Sequence, residues 1–217
     1  MAGADDPHEA VRRSFDRIAE QYAADFAGEL ARKPFDRERL RSFAAGCALG
    51  PVLDVGCGAA GHVGRFVADA IGQPPRVIGV DVSERSVALA RRLNPPLGFV
   101  AADMRALPLR PGVCGAIVAF YSLIYGDDAH VAASLGEFRR VLRPGAPLLV
   151  AVHAGEGAQH FDEYRGLAVD VTLCLRRTES FAAQVRGARF GIDTVEVRPP
   201  YELEHPTERL YVAAHAI

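Results

Sequence analysis

The chain has 217 residues, of which 49% are apolar, and a formal net charge of −2. That length accommodates one large domain with a sizeable core, and the near-neutral balance gives no bulk attraction to nucleic acid or anionic lipid. The four cysteines (Cys47, Cys57, Cys114 and Cys174) have no CxxC spacing, and they are predicted to be reduced, mostly buried thiols of a cytoplasmic protein.

The opening MAGADD has neither a basic stretch nor an apolar one, so no secretory leader is expected. The uncharged run 112–126 is too short to span a bilayer as a helix, and no membrane partner is expected. Residues 9–28 place Ala10, Phe15, Ile18, Ala19, Tyr22 and Phe26 at helical spacing. A second helix is predicted over 36–48, with Leu40, Phe43 and Ala44 on one face. The period then changes. Val52–Val55 is a short apolar run between Pro51 and Gly56, and it reads as a strand. A helix over 61–71, a strand over 76–81 and a helix over 84–93 follow, the last one capped by Ser83. Strands are predicted over 97–102 and 113–119. A helix starts at Asp127 or Asp128 and stops before Arg143-Pro144-Gly145. A fifth strand occupies 147–153.

Alternating strands and helices, with strands apolar on both faces, predict an α/β fold with a covered parallel sheet. Residues 154–177 read as an excursion over the sheet edge and a candidate lid. A helix over 178–188 precedes strands over 192–197 and 210–214. The connection between those two is too short for a crossover helix, so the last strand is expected to run antiparallel.

Ligands of open parallel sheets bind beyond the carboxyl ends of the strands. Three successive strands are followed there by Asp54, Asp81 and Asp103, and the first runs into a GxGxxG turn, Gly56-Cys57-Gly58-Ala59-Ala60-Gly61. A glycine turn before a helix suits a pyrophosphate. Asp54 beside it would repel one in a partly dry site. It would favour a ligand with a cationic end, as in the ammonium and sulfonium of S-adenosylmethionine. Asp81 stands where a carboxylate accepts ribose hydroxyls, and Asp103 where one meets an adenine amino group. Cys57 is read as a small residue tolerated in the turn, since no His lies at a suggestive offset.

The segments VLDVGCGAAG, GVDVS, AADMRALPL and FRRVLRPGAPLLVAVH resemble the successive motifs of class I S-adenosylmethionine-dependent methyltransferases of the small-molecule type. FDRIAEQYAADF resembles the N-terminal helix that many members fold over the methionine end of the cofactor, and EHPTERLYVAAHAI resembles the final antiparallel strand. The resemblance implies a Rossmann-like seven-stranded sheet in the order 3-2-1-4-5-7-6 in one domain over 1–217, with the helices of 1–50 over the cofactor. It also implies site roles. Gly56 and Gly58 admit the methionine part, Asp54 supports its ammonium, and Asp81 binds the ribose. Val82 flanks the adenine, Asp103 and Met104 meet its edge and face, and Phe120 borders the methionyl group. Tyr22 could touch the carboxylate. Ala59-Ala60 departs from the more usual Thr or Pro-Gly, which removes a hydroxyl contact and leaves the backbone role.

Methyl transfer is an in-line displacement that needs a base only for a protonated, weak acceptor. His153, ending the fifth strand, is the candidate base, with Tyr125 and Tyr121 as alternatives. His62 is assigned to the helix surface, and His160 and Tyr164 to the acceptor lid. No metal-ligand spacing is present. Asn94-Pro95-Pro96 precedes the third strand, so it is not the amine-gripping signature of nucleic-acid methylating enzymes. The expected reaction is methylation of an O or N atom of a small molecule, with S-adenosylmethionine as cofactor. The alternatives are an NAD-dependent dehydrogenase on the same type of sheet and a non-catalytic S-adenosylmethionine-binding module.

Overall fold

The computed structural model describes residues 7–47, 50–72 and 77–217. MAGADD, Ala48 at the end of the second predicted helix, and Arg76 at the start of the second predicted strand lie outside the described residues. The elements are α1 (Pro7–Phe26), a 3-10 turn (Glu29–Arg32), α2 (Pro34–Gly46), β1 (Val52–Val55), α3 (His62–Ile71), β2 (Val77–Asp81), α4 (Glu84–Leu93), β3 (Gly98–Ala101) and β4 (Ala116–Phe120). After them come α5 (Asp128–Val141), β5 (Pro147–Ala154), β6 (Ala158–Tyr164), β7 (Leu167–Cys174), α6 (Thr178–Gly187), β8 (Phe190–Arg198) and β9 (Glu208–Ala216).

Seven strands form one sheet in the order β3-β2-β1-β4-β5-β9-β8. β1 to β5 pair in parallel, and β9 runs antiparallel to both β5 and β8. Counted without β6 and β7, this is the expected order 3-2-1-4-5-7-6 with its last strand reversed. The excursion over 154–177 contains a ribbon, β6 paired with β7 outside the main sheet. Its two-residue loop is Arg165-Gly166, both at positive φ (48° and 80°), the geometry that suits the twist of a tight hairpin.

Period-two alternation divides the core. Leu53, Val55, Ile117, Ala119, Leu148 and Val150 pack with Leu135 and Phe138 of α5 and Phe181 and Val185 of α6. Val52, Val118, Leu149 and Ala151 pack with Leu40 and Phe43 of α2 and Val63 and Val67 of α3. Caps set the helix starts. Ser83 Oγ accepts from Ser86 N (3.0 Å) at α4, and Asp127 accepts from His130 N (2.8 Å) at α5, so Asp127 is the cap of the candidate pair. The four cysteines are free thiols, and among the described residues no helix is long and apolar enough to cross a membrane.

The end of β8 is fixed by a buried ionic cluster. Arg198 donates to Asp36 of α2 (2.8 Å), to both oxygens of Glu204 (2.7 and 3.0 Å) and to the Tyr211 hydroxyl (3.0 Å). Tyr211 donates to the same Asp36 (2.6 Å), and Lys33 pairs with Glu204 (3.1 Å). Removing one member of such a set strands the others without water. We expect Arg198→Met to lower stability by about 3–5 kcal/mol, read as a reduced urea midpoint; an unchanged midpoint would show that the cluster does not hold this end of the sheet.

Candidate cofactor and acceptor site

The chain leaves β1 at Gly56 with φ 74°. A Cβ at that position would lie 2.1 Å from the Cβ of Ser122. Ser122 is held there because its hydroxyl donates to Val55 O (2.8 Å). Positive φ and close approach together make glycine obligatory. Gly56 N and Cys57 N both donate to Val80 O, at 2.7 and 3.0 Å. Asp81 completes the join: its carboxylate accepts from Gly58 N and from Ser83 N, each at 2.9 Å. Burial pushes this carboxyl above its usual range, against the pull of those two N–H groups. Asn94 adds a third tie, donating to Ala60 O (2.8 Å) and Ala90 O (3.1 Å), so the Asn-Pro-Pro run is a helix-end brace. Cys57 is buried beside the turn, and burial drives its thiol well above the ordinary range, which leaves no nucleophilic thiolate.

Above the turn is a cavity of about 730 Å³ at the carboxyl ends of β1, β2, β4 and β5. The helix α1 and the ribbon roof it. Ser14 Oγ accepts from Asp170 N (2.8 Å), Tyr164 donates to Asp25 (2.6 Å), and Ile18 packs with Val169 and Val171. Asp16 of α1 accepts from the Ser83 hydroxyl (2.7 Å), pinning the roof to the start of α4. Tyr22, Gly56, Gly58, Asp81, Val82, Asp103, Met104, Phe120, Tyr125 and His153 all line this cavity. Tyr22 lies over Gly58, whose added Cβ would meet its ring at 3.5 Å. Both oxygens of Asp103 are gripped by Arg105 (3.0 Å from Nε); burial raises this carboxyl, but the guanidinium outweighs burial and holds it low.

Asp54 is the exception and requires a correction. It does not line the cavity. It is 1% exposed, and its Oδ2 accepts from Gly64 N (2.8 Å) in the first turn of α3. The strand alternation that sends Leu53 and Val55 to one core face sends Asp54 beneath the helix start, where the amide needs an acceptor. An ammonium contact is therefore not built at Asp54. Burial pushes its carboxyl up to about 6.

At the far end of the cavity, His153 faces Tyr121 and His205 edge-on, with ring centroids 5.5 and 5.8 Å away. Its Nδ1 lies 2.6 Å from Thr207 Oγ1. Tyr121 has φ 54°, a strained setting for an aromatic residue. It is fixed by hydrogen bonds of its hydroxyl to Asp36 (3.1 Å) and Tyr211 (2.8 Å). Burial raises Tyr22, Tyr121 and Tyr125, the last to about 12, so all three keep their protons at neutral pH. Lys33, Glu29 and His62 also border the cavity, with Glu29 bridging the other two at 2.7 and 2.8 Å. His62 is thus half-enclosed in a charge cluster rather than on the helix surface. His160 pairs with Thr172 on the outer side of the ribbon and does not line the cavity. Among the described residues no three His, Cys, Asp or Glu side chains are grouped to hold a metal.

Residues 52–145 match a family model described as a methyltransferase domain. That segment is a methyltransferase domain of the S-adenosylmethionine-dependent kind. The cofactor of a class I methyltransferase is S-adenosylmethionine, and the glycine turn with Asp81 is the part of the domain that fits it. A demethylmenaquinone methyltransferase of Beutenbergia cavernae is 34% identical over 149 residues, covering 67% of this chain and 58% of that protein. A ubiquinone/menaquinone biosynthesis C-methyltransferase of Syntrophotalea carbinolica is 34% identical over 154 residues, covering 66% and 61%. The chain therefore spans about three fifths of the length of these curated relatives. Among solved structures, the DhpI–SAH complex superposes with a TM-score of 0.72 at 22% identity, covering 96% of each chain. A geranyl diphosphate C-methyltransferase from Streptomyces coelicolor gives 0.66 at 15% identity over 83% and 76%. At these identities the structures establish the shared fold.

The Asp54 carboxyl gives the domain a distinctive pH response. Its folded-state value, about 6, exceeds the ordinary 3.8. The folded chain therefore binds the extra proton between those values, and stability from this group falls as pH rises through that window and is flat above it. Comparing wild type with Asp54→Asn, we expect the stability difference to shift towards wild type by roughly 2 kcal/mol between pH 7 and pH 4. A difference that stays constant across that range would contradict this assignment.

Proposed function

We propose that this chain transfers a methyl group from S-adenosylmethionine to a small-molecule acceptor. The observation that carries the reading is the continuity of one cavity, from the glycine turn and Asp81 to His153, Phe161 and His205. One end has the features a nucleoside needs, and the other has room for a second molecule. Asp81 would accept the ribose hydroxyls with its remaining lone pairs. Val82, Asp103 and Met104 would border the adenine, and Gly56, Gly58, Phe120 and Tyr22 the methionyl part. When bound, the cofactor supplies an electrophilic methyl on sulfur. The chain aligns the acceptor and keeps water out with α1 and the ribbon, which acts as the lid.

Tyr125 is a wall and orienting residue in this reading, since it keeps its proton. The acceptor atom is nucleophilic without strong base assistance: an amine nitrogen, an ionised oxygen, or a carbon, the last in keeping with the C-methyltransferase names among the relatives. The apolar lining from Phe15, Ile18, Phe161, Val169 and Val171 suits a largely apolar acceptor. The four free thiols support the cytoplasmic placement.

Calorimetric titration should give heat with S-adenosylmethionine and none with NAD. Asp81→Ala should weaken cofactor binding by about 1–3 kcal/mol, the loss of a charge-assisted hydrogen bond. Tight NAD binding without S-adenosylmethionine heat would favour the dehydrogenase reading, and unaltered affinity in the variant would remove Asp81 from the site. A metabolite panel scored by S-adenosylhomocysteine release should yield at least one acceptor; cofactor binding with no turnover on any acceptor would favour the binding module.

A further inference from the structure

Thr207 sits between a permanent cation and a histidine. Arg209 Nη1 donates to Thr207 Oγ1 at 2.8 Å, and it also donates to the Thr207 carbonyl. The same Oγ1 is 2.6 Å from His153 Nδ1. A guanidinium keeps its protons, so Oγ1 accepts from it. The hydroxyl proton then needs an acceptor of its own, and among the described residues the one within hydrogen-bond range is His153 Nδ1. If Nδ1 accepts, the ring proton of neutral His153 resides on Nε2. That Nε2 makes no hydrogen bond within the described residues, and His153 lines the cavity.

We propose that His153 is a fixed Nε2–H donor that holds an oxygen of the methyl acceptor, its tautomer set by the Arg209–Thr207 relay, and that it is not the general base. The inference rests on the methyltransferase reading for the identity of the ligand, but the tautomer itself does not. The groups around the ring support a neutral imidazole. The charged groups near it are Arg209 of β9, Lys33 and Glu204, which pair with one another, and His205 and Tyr121 meet the ring edge-on. Burial, with Arg209, His205 and Lys33 adding to it, pushes His153 down to about 3. A ring that resists protonation is a poor base and remains a competent donor. The acceptor class that follows has an oxygen with free lone pairs, a carbonyl, carboxylate or phenolate, on an apolar body that fits against Phe161 and Val171.

The test is nitrogen-15 NMR of the histidine side chains in the full chain, with and without S-adenosylhomocysteine. We expect His153 to show a protonated Nε2 and a bare Nδ1 from pH 8 to pH 5. Thr207→Ser should keep that pattern, and Thr207→Val should give a mixture of tautomers. A proton on Nδ1, or a charged ring at pH 6, would overturn the proposal, and so would an unchanged tautomer in Thr207→Val. As a ligand probe, 4-nitrophenolate should bind the S-adenosylhomocysteine complex of wild type roughly 5-fold or more tightly than that of His153→Leu, with His153→Gln in between. Equal affinity in all three, or no binding to wild type, would overturn the donor role. Failure of the NMR prediction with normal S-adenosylmethionine binding would leave the methyltransferase reading standing.

Discussion

A single carboxylate organises the cofactor end of this domain. Asp81 leaves the second strand and accepts one N–H from the glycine turn of the first strand and another from the start of α4. The glycine turn, 23 residues upstream, is thereby tied to the carboxyl end of the second strand and the start of α4. Holding that charge in a largely dry setting is costly, and it is offset by the two N–H groups and by sheet pairing beneath. The geometry of the turn follows. Gly56 must be glycine because Ser122, just after the fourth strand, lies against it, and Gly58 sits at a positive φ of 61° that favours glycine.

The roof and the acceptor end follow a different logic. The helix α1 is held on two sides: Ile18 packs with Val169 and Val171 of the ribbon, and Ala19 and Ala23 pack on Ala59 and Ala60 of the glycine turn and Leu89 of α4, with polar ties at Ser14, Asp16 and Asp25. The floor at the other end is rigid. Arg198, Asp36, Glu204, Tyr211 and Lys33 bind one another out of water and set both the strained Tyr121 and the turn that carries Thr207 and His205.

Much of this was legible in the sequence, because buried parallel strands and capped helices leave local signals. The strand positions, the reversed last strand and the glycine turn all came from short-range pattern. The side of the sheet that Asp54 faces did not. It depends on register with α3, and a carboxylate near a glycine turn reads the same whether it points up to a ligand or down to a helix start. The ribbon was readable in retrospect: Leu167, Val169, Val171 and Leu173 alternate, and Arg165-Gly166 is a tight-turn pair. The ionic floor was not readable, since Asp36 and Arg198 are 162 residues apart and meet only through tertiary packing. The role of His153 also lay beyond pattern, because a histidine at a strand end looks alike as base or donor until the neighbour of its other nitrogen is known.

The most direct measurement is a crystal structure of the chain with S-adenosylhomocysteine. The account requires the ribose hydroxyls on Asp81, the adenine between Val82 and Met104, and the sulfur turned towards the His153 end of the cavity. A nucleoside bound elsewhere, or the glycine turn left bare in crystals saturated with it, would contradict the account.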